Sequence, residues 1–443
     1  YHWLAAGQNM GMVKELNDVM KQDGAQTLLT RTHRYWQSWV NKAHTDFADL
    51  SAHLIEFYKR CLLVVRTQSD RAGAILAAND ADVEHFARDS YSYMWPRDGA
   101  LVADALNQAS YGGATRHFYD FCNAVLTPEG YLLQKYHPDH SWGSSWEPWI
   151  DTDGKPQLPI QEDSTALVLA SLWQHYEHFQ DIEFLAPYYH SLVVPAADFL
   201  VSYRDASTHL TDPSYDLWEE RRGILAFTTA AVYAGLTTAS RCARLFGEEE
   251  RAVTYQHAAT EIKEAALQHL WDEEHGHFAR MITVDKHGQI HKDPTLDSSL
   301  CGLFLFGMVP ARDPQMERTM QILEQTLWVR TEVGGMARYE NDHYHQVTQD
   351  LSQAQGNPWF ICTLWLARYR IARATTLDAL HQALPLLDWA HRHALPSGIM
   401  AEQVNPFTSE PLSVSPLTWS HAEYILTVGS YLSKYEQIQK GQA

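Results

Sequence analysis

Two short stretches hold carboxylates where a packed core has no use for them. PSYDLWEERRG, residues 213–223, sets Trp218 beside two adjacent carboxylates, Glu219 and Glu220, with Arg221 and Arg222 next. GIMAEQ, residues 398–403, holds a lone carboxylate, Glu402. Both stretches fall between long helical patterns. Cleavage of a glycosidic bond needs such a pair. One carboxylic acid protonates the leaving oxygen, and a second carboxylate acts from the other side of the sugar. Glu219 is the candidate acid, its pKa raised by Trp218 through desolvation and by Glu220 through like-charge repulsion. A lone Glu-Glu pair is commonly the charged first turn of the next helix. Tyr215 and Trp218 in the same loop weigh against that reading. Glu402 is the candidate base, and Glu410 in its loop competes on spacing alone.

Other loops carry groups suited to gripping a polar ring. SYSYMWPRDGA, residues 90–100, places Asp98 to cap the helix that follows. Trp95 and Arg97 just before it add an aromatic face and a planar donor fork. GMARYENDHY carries Arg338 and Tyr339 ahead of GNPW, LTWSHAEY sets Trp419 at the head of the last helix, and SWGSSWEPW supplies Trp142, Trp146 and Trp149. Flat faces with a polar handle suit sugar rings, although they also fill cores. His137 with His140, His275 with His277 and His343 with His345 are coincidences expected among 24 histidines, and HExxH is absent. Neither a phosphate loop nor a dinucleotide fingerprint occurs. No metal and no cofactor are expected.

Apolar periodicity and breaker residues outline the elements that must position these groups. Twelve helical segments run over 49–67, 98–110, 113–127, 161–178, 182–204, 225–246, 249–270, 294–307, 313–328, 356–374, 376–394 and 417–436. The even-numbered ones are poor in charge and call for burial on most sides. The odd ones are amphipathic; 249–270 lines up Ala252, Tyr255, Ala259, Ile262, Ala266 and Leu270. Twelve helices, alternately outer and inner, describe an all-α (α/α)6 barrel. Even-to-odd connections are tight, whereas odd-to-even connections are long: 68–97, 128–160, 205–224, 271–293, 329–355 and 395–416. In an up-down array those six loops emerge at one end, and loops of that length are usually functional. Inner-helix N-termini point there and favour nearby carboxylates. Glu219 and Glu402 precede the third and sixth inner helices, which face each other across a ring of six. A separation of about 6.5–9.5 Å follows, enough to admit a water and invert the anomeric centre. LLQKYH and FARMITVDKHGQIHKD are the only strand-like ribbons. Residues 1–45 read as linker helices and 46–443 as the barrel.

The formal net charge is −20 with no basic run, which argues against nucleic acid and anionic membrane as partners. No window reads as long and apolar enough to span a membrane. Five widely spaced cysteines, Cys61, Cys122, Cys242, Cys301 and Cys362, read as buried free thiols. With no leader at Tyr1, they favour the cytoplasm.

The motifs YSYMWPRDGALVADAL, QKYHPDHSWGSSWEPW, LPIQEDSTALVLASLW, PSYDLWEERRG, ARYE…GNPWFICTLWLA and GIMAEQ…LTWSHAEY occur in order over about residues 45–435. Together they resemble the glucoamylase family, glycoside hydrolase family 15, in its bacterial and archaeal branch. The resemblance implies an inverting, exo-acting enzyme on an (α/α)6 barrel. It implies that Glu219 is the acid and that Glu402, not Glu410, is the base. It implies Arg97, Asp98 and Arg338 as holders of the terminal glucose and Tyr91 as an aid to the attacking water. Trp95, Trp218 and Trp419 match aromatic positions of the sugar pocket, with Glu220 in the same motif. Prokaryotic members carry a β-sandwich domain ahead of the linker helices, and none is present in these residues. The expected substrate is an α-glucan or malto-oligosaccharide, cut from the non-reducing end to release β-glucose. Trehalase and glucodextranase activities share the same motifs. A carbohydrate-binding protein that no longer cleaves is the reading from another class, and intact Glu219 and Glu402 argue against it.

Overall fold

The computed structural model describes residues 1–43, 45–79, 90–145, 147–151 and 154–441. The chain divides into two compact units, Tyr1–Asp46 and Phe47–Ala443. In the first, Asn9 accepts the Met12 N–H to cap helix Met10–Asp23, and Gly24 at φ +78° turns the chain into helix Ala25–Val40.

The second unit is an (α/α)6 barrel. Its inner helices are Pro96–Gln108, Glu162–Phe179, Ala226–Leu245, Gly302–Leu305, Phe360–Arg373 and Thr418–Gln439. Each packs on the next in that order, and Thr418–Gln439 returns to pack on Pro96–Gln108, closing the ring. The low charge of these segments follows from this closure, since a helix in the ring is covered on most sides. The outer helices are Ala52–Thr67, Gly112–Val125, Ile182–Ser202, Glu249–His269, Pro314–Leu327 and the pair Leu377–His381 and Leu384–His393. On Glu249–His269 the stripe Ala252, Tyr255, Ala259, Ile262 and Ala266 is buried, as is Leu270 just beyond.

Three outer or inner segments differ from the expected spans for identifiable reasons. The fourth inner segment shrinks to a 3-10 turn, Ser298–Cys301, and one α turn, Gly302–Leu305. It starts only after Asp297, whose backbone bridges to Tyr339 and whose side chain accepts the Ser299 N–H, and Gly307 at φ +74° ends it. Outer segment 376–394 splits in two, because Pro385 lacks the N–H needed to continue the earlier turn. Ile182–Ser202 carries Pro187 inside the helix and Pro195 at the head of its last stretch, with a π turn at Tyr189–Val193 between them. That same helix corrects the membrane expectation. By length and composition it is apolar enough to cross a bilayer, but 56% of the window is buried within the barrel unit.

Two four-stranded antiparallel sheets stand among the long loops, and Trp271–Asp272 pairs with His277–Phe278 as a two-stranded ribbon. One sheet runs Ser214–Tyr215, Arg222–Leu225, Met281–Val284 and Ile290–Asp293; the other runs Pro411–Leu412, Gln403–Val404, Pro358–Trp359 and Met336–Ala337. FARMITVDKHGQIHKD thus forms its ribbon, pairing Met281 with Asp293 through Val284 with Ile290. LLQKYH makes only single bridges, Met94 to Tyr136 and Tyr136 to Trp142. The five cysteines are buried and free.

Ring closure depends on close helix approach at Gly235, where an added Cβ would lie 2.9 Å from the Ala166 carbonyl oxygen and 3.0 Å from its Cα. Alanine is intrinsically better than glycine in a helix by about 1 kcal/mol. Overpacking against backbone outweighs that gain, so Gly235→Ala should lower stability by about 1–3 kcal/mol in thermal unfolding. A variant as stable as the parent would contradict the close approach.

Candidate active site

PSYDLWEERRG is a β-hairpin, not the first turn of a helix. Ser214 pairs with Gly223 and Tyr215 with Arg222. Asp216 ties the turn: its Oδ1 accepts the N–H groups of Glu220 at 2.7 Å and Arg221 at 3.0 Å, and its carbonyl accepts that of Glu219 at 2.9 Å. Glu219 at the tip takes φ +63°, a left-handed conformation that non-glycine residues avoid unless the surroundings impose it. This turns its side chain one way and that of Glu220 the other.

Glu219 meets the start of the first inner helix. Trp95 Nε1 donates to its Oε1 at 2.6 Å, and Arg97 Nη2 lies 3.9 Å from the same oxygen. Arg97 is itself fixed, donating from Nη1 to Gln161 Oε1 at 2.8 Å, while Gln161 Nε2 donates to the Asp216 carbonyl at 2.6 Å. Asp98 does not cap the helix. The helix opens on Trp95 with Pro96 in its first turn, and Asp98 sits in that turn, buried, with Oδ2 3.3 Å from Arg97 Nη2. Burial pushes the Glu219 carboxyl up to about 7, against the pull of Arg97, Gln134, Lys135 and Trp95.

Desolvation is therefore the expected cause, but its neighbours differ from expectation. The indole bonded to Glu219 is Trp95; Trp218 Nε1 instead donates to both oxygens of Asp297 at 3.1 Å. Glu220 supplies no repulsion of note, because it turns to Arg338, whose Nη2 donates to Glu220 Oε1 at 2.7 Å. Tyr339 and Arg221 bind its other oxygen. Burial raises the Glu220 carboxyl, and Arg338, Tyr339 and Arg221 together outweigh it, leaving it below its ordinary value.

Glu402 enters from the second sheet, immediately before strand Gln403–Val404. Its N–H donates to the Val414 carbonyl at 3.0 Å. The carboxyl is buried, Oε2 has no hydrogen-bond partner among the described residues, and burial raises it to about 7 against Ser413 and Arg338. Glu410 is exposed on the same hairpin and lines no part of the site. Tyr91 and Tyr344 share a hydrogen bond of 2.8 Å, and Tyr344 is 3.2 Å from Ser413 Oγ. Burial holds the Tyr91 phenol up first, then the charge of Glu402, with Tyr344 and Glu219 also contributing, so it stands in the field of both carboxyls. Arg338 lies over the rings of Trp359, Trp218 and Tyr344 at 4.9, 5.2 and 5.3 Å, and Asp342 holds its Nε at 2.7 Å.

Ten of the residues singled out in the sequence, Tyr91, Trp95, Arg97, Asp98, Trp218, Glu219, Glu220, Arg338, Glu402 and Trp419, line one cavity of about 380 Å³. Ala77, Leu217, Tyr344, Trp359, Ile361 and Leu417 complete it. Trp359 stood in the GNPW motif and Tyr344 six residues past Arg338, so aromatic proximity to a motif was the available signal. The wall draws on four of the six long loops. Loop 128–160 works from behind: Lys135 Nζ lies 5.0 Å from the centre of the Trp95 ring, and Glu147 is buried, raised to about 9 by burial and then by the charge of Glu219. Trp142 and Trp149 are exposed and outside the cavity, and Trp146 lies outside the described residues. Loop 271–293 braces the Glu219 hairpin through the pairing of Met281 with Leu225 and Ile282 with Ile224. The paired histidines do not gather into a metal site among the described residues.

The chain belongs to the glycosyl hydrolases family 15, whose sequence pattern matches residues 56–429. A glucoamylase from Clostridium sp. is 24% identical over 420 residues, covering 88% of this chain and 54% of the relative. A trehalase from Mycobacterium tuberculosis is 23% identical over 431 residues, covering 92% and 58%. The fold matches the crystal structure of a bacterial glucoamylase complexed with acarbose at TM-score 0.74 and 22% identity, over 97% of this chain and 62% of that one. The chain thus spans less than two thirds of the length of each.

Two buried carboxyls displaced from their ordinary 4.5 to about 7 leave a mark on stability. The folded state binds more protons than the unfolded one between those values. The stabilisation is full below pH 4.5 and lost as pH rises through 7. Glu219→Gln and Glu402→Gln should each raise stability at pH 8 by about 1–3 kcal/mol, and by less at pH 5. Equal shifts at both pH values in thermal melts would refute it.

Proposed function

We propose that the protein is an inverting, exo-acting glycosidase that releases β-glucose from the non-reducing ends of α-glucans and malto-oligosaccharides. One observation carries the reading: Glu219 and Glu402 enter a single buried cavity from loops ahead of inner helices on opposite sides of the ring. Two carboxyls so opposed, separated by about 6.5–9.5 Å, leave room for a water beneath the sugar. Glu219, held by Trp95, gives its proton to the glycosidic oxygen as that bond breaks. A water attacks the anomeric carbon from the far face, and Glu402 takes the water's proton. Tyr91, beside Glu402, steadies that water. Arg97, Asp98 and Arg338 hold the terminal sugar's hydroxyls, Glu220 fixes Arg338, and Trp218 and Trp419 flank the ring.

Trehalose is the second substrate to test, because the Mycobacterium tuberculosis relative is a trehalase. Assays on maltotriose, isomaltose and trehalose side by side separate the readings. Proton NMR of fresh product should show β-glucose first; α-glucose first would refute inversion. Glu402→Gln should lower kcat by about 10²–10⁴-fold while binding persists. Arg97→Ala should lower kcat/KM, and mainly internal fragments from a long glucan would refute exo action.

The reaction needs one proton on the pair, on Glu219 and not on Glu402. Both carboxyls stand at about 7, so the singly protonated pair is most populated near neutral pH. A bell-shaped kcat/KM profile centred there is expected, falling at acid pH as Glu402 gains a proton and at alkaline pH as Glu219 loses one. An acid-limb-only profile would contradict this.

A further inference from the structure

We infer that His421 is a positioning residue that fixes Glu402 by accepting the backbone N–H of Met400. This inference rests on the reading of Glu402 as the base. Met400 and Ala401 lead directly into Glu402, and three groups from one turn of the last inner helix hold them. Leu417 N–H donates to the Met400 carbonyl at 3.2 Å, and Ser420 Oγ donates to the Ala401 carbonyl at 2.9 Å. His421 Nε2 accepts the Met400 N–H at 3.0 Å. The same turn carries Trp419 into the cavity, and Thr418 binds the backbone of Leu76 and Ala77, so one helix start ties two walls of the site together.

The imidazole is fully buried, and its tautomer is dictated by its partners. Nδ1 faces the Leu417 carbonyl at 2.9 Å and must carry the hydrogen, which leaves Nε2 as acceptor. An apolar residue of similar size would fill the space but strand the Met400 N–H in a dry interior. Only a neutral ring serves, because an imidazolium has no acceptor. The groups facing the ring are backbone: Leu417 from its own helix, Met400 and Gly398 from the Glu402 loop, with no charged side chain acting on it among the described residues. Burial accordingly pushes the ring down to about 4, and the Leu417 and Gly398 backbone groups, which favour the charged ring, oppose this only in part. The clamp is therefore closed at neutral pH and opens as pH falls through about 4, a loss of folded stability that begins below 6.5, the ordinary histidine value. His175, likewise lowered to about 4 by burial, adds its own acid sensitivity, so stability alone does not isolate His421.

Two substitutions split the two bonds. In His421→Asn the amide nitrogen takes the place of Nδ1 and keeps the Leu417 bond but does not reach Met400. In His421→Gln the amide oxygen takes the place of Nε2 and restores the acceptor. His421→Asn should lower kcat on the preferred sugar by at least about tenfold with KM changed less than about threefold, and His421→Gln should recover most of kcat. Hydrogen exchange of the Met400 amide should be slow in the parent and in His421→Gln and fast in His421→Asn. Equal kcat in both variants, or a loss of kcat with the Met400 amide still protected, would overturn the inference. A parent protein inactive on every glucoside tested, with Met400 exchange following the expected order, would remove the glycosidase reading and leave the clamp without a reaction to serve. Exchange unchanged across the three proteins overturns the clamp itself.

Discussion

Two carboxyl groups are held largely buried on opposite sides of one cavity, and the surrounding architecture answers that constraint. A buried carboxylate is costly unless partners meet it, so an unaided pair would simply stay protonated. Here the opposition is graded. Trp95, Arg97 and Lys135 draw the Glu219 carboxyl down toward its charged form while burial draws it up. Glu220, one residue away, receives Arg338, Tyr339 and Arg221 and is held below its ordinary value. Neighbouring residues of one type thus do different work because a left-handed turn at Glu219 sends them to different surroundings.

The helices of the barrel supply the frame, but short strands aim the carboxyls. Each of the two four-stranded sheets is built from strands of two to four residues, and each carries one side of the cavity. The first holds the Glu219 hairpin against the ribbon of loop 271–293. The second joins the segments that carry Arg338, Trp359 and Glu402. A long loop without such pairing would leave its functional side chain free to wander, and small displacements are expensive in catalysis. The helix starts add the remaining contacts, since Arg97, Asp98 and Trp419 sit in first turns and Trp359 immediately precedes one.

The alternation of inner and outer segments and the end that carries the long loops were legible in the sequence because burial writes itself into periodicity, whereas the break at Pro385 and the shortened fourth inner segment were not. Residues facing the ring must be small or apolar, and Glu249–His269 shows the amphipathic stripe of a helix facing solvent on one side. The ten expected site residues share one cavity, and they were found partly as aromatic, carboxylate or guanidinium groups at loops and helix starts, and partly, as with Tyr91 and the preference for Glu402 over Glu410, through the family resemblance. What local sequence could not decide was pairing across long separations. Which indole meets Glu219, what fixes Arg97 and where Glu220 turns depend on residues 64 to 124 positions apart meeting in space. Strands of two residues carry no periodic signal, so the second sheet and the backbone clamp at Met400 were invisible until the ring had closed. The sequence thus determined which chemistry is present and roughly where. The tertiary structure decided which groups share one cavity, because desolvation and hydrogen bonding act on neighbours in space and not on neighbours in the chain.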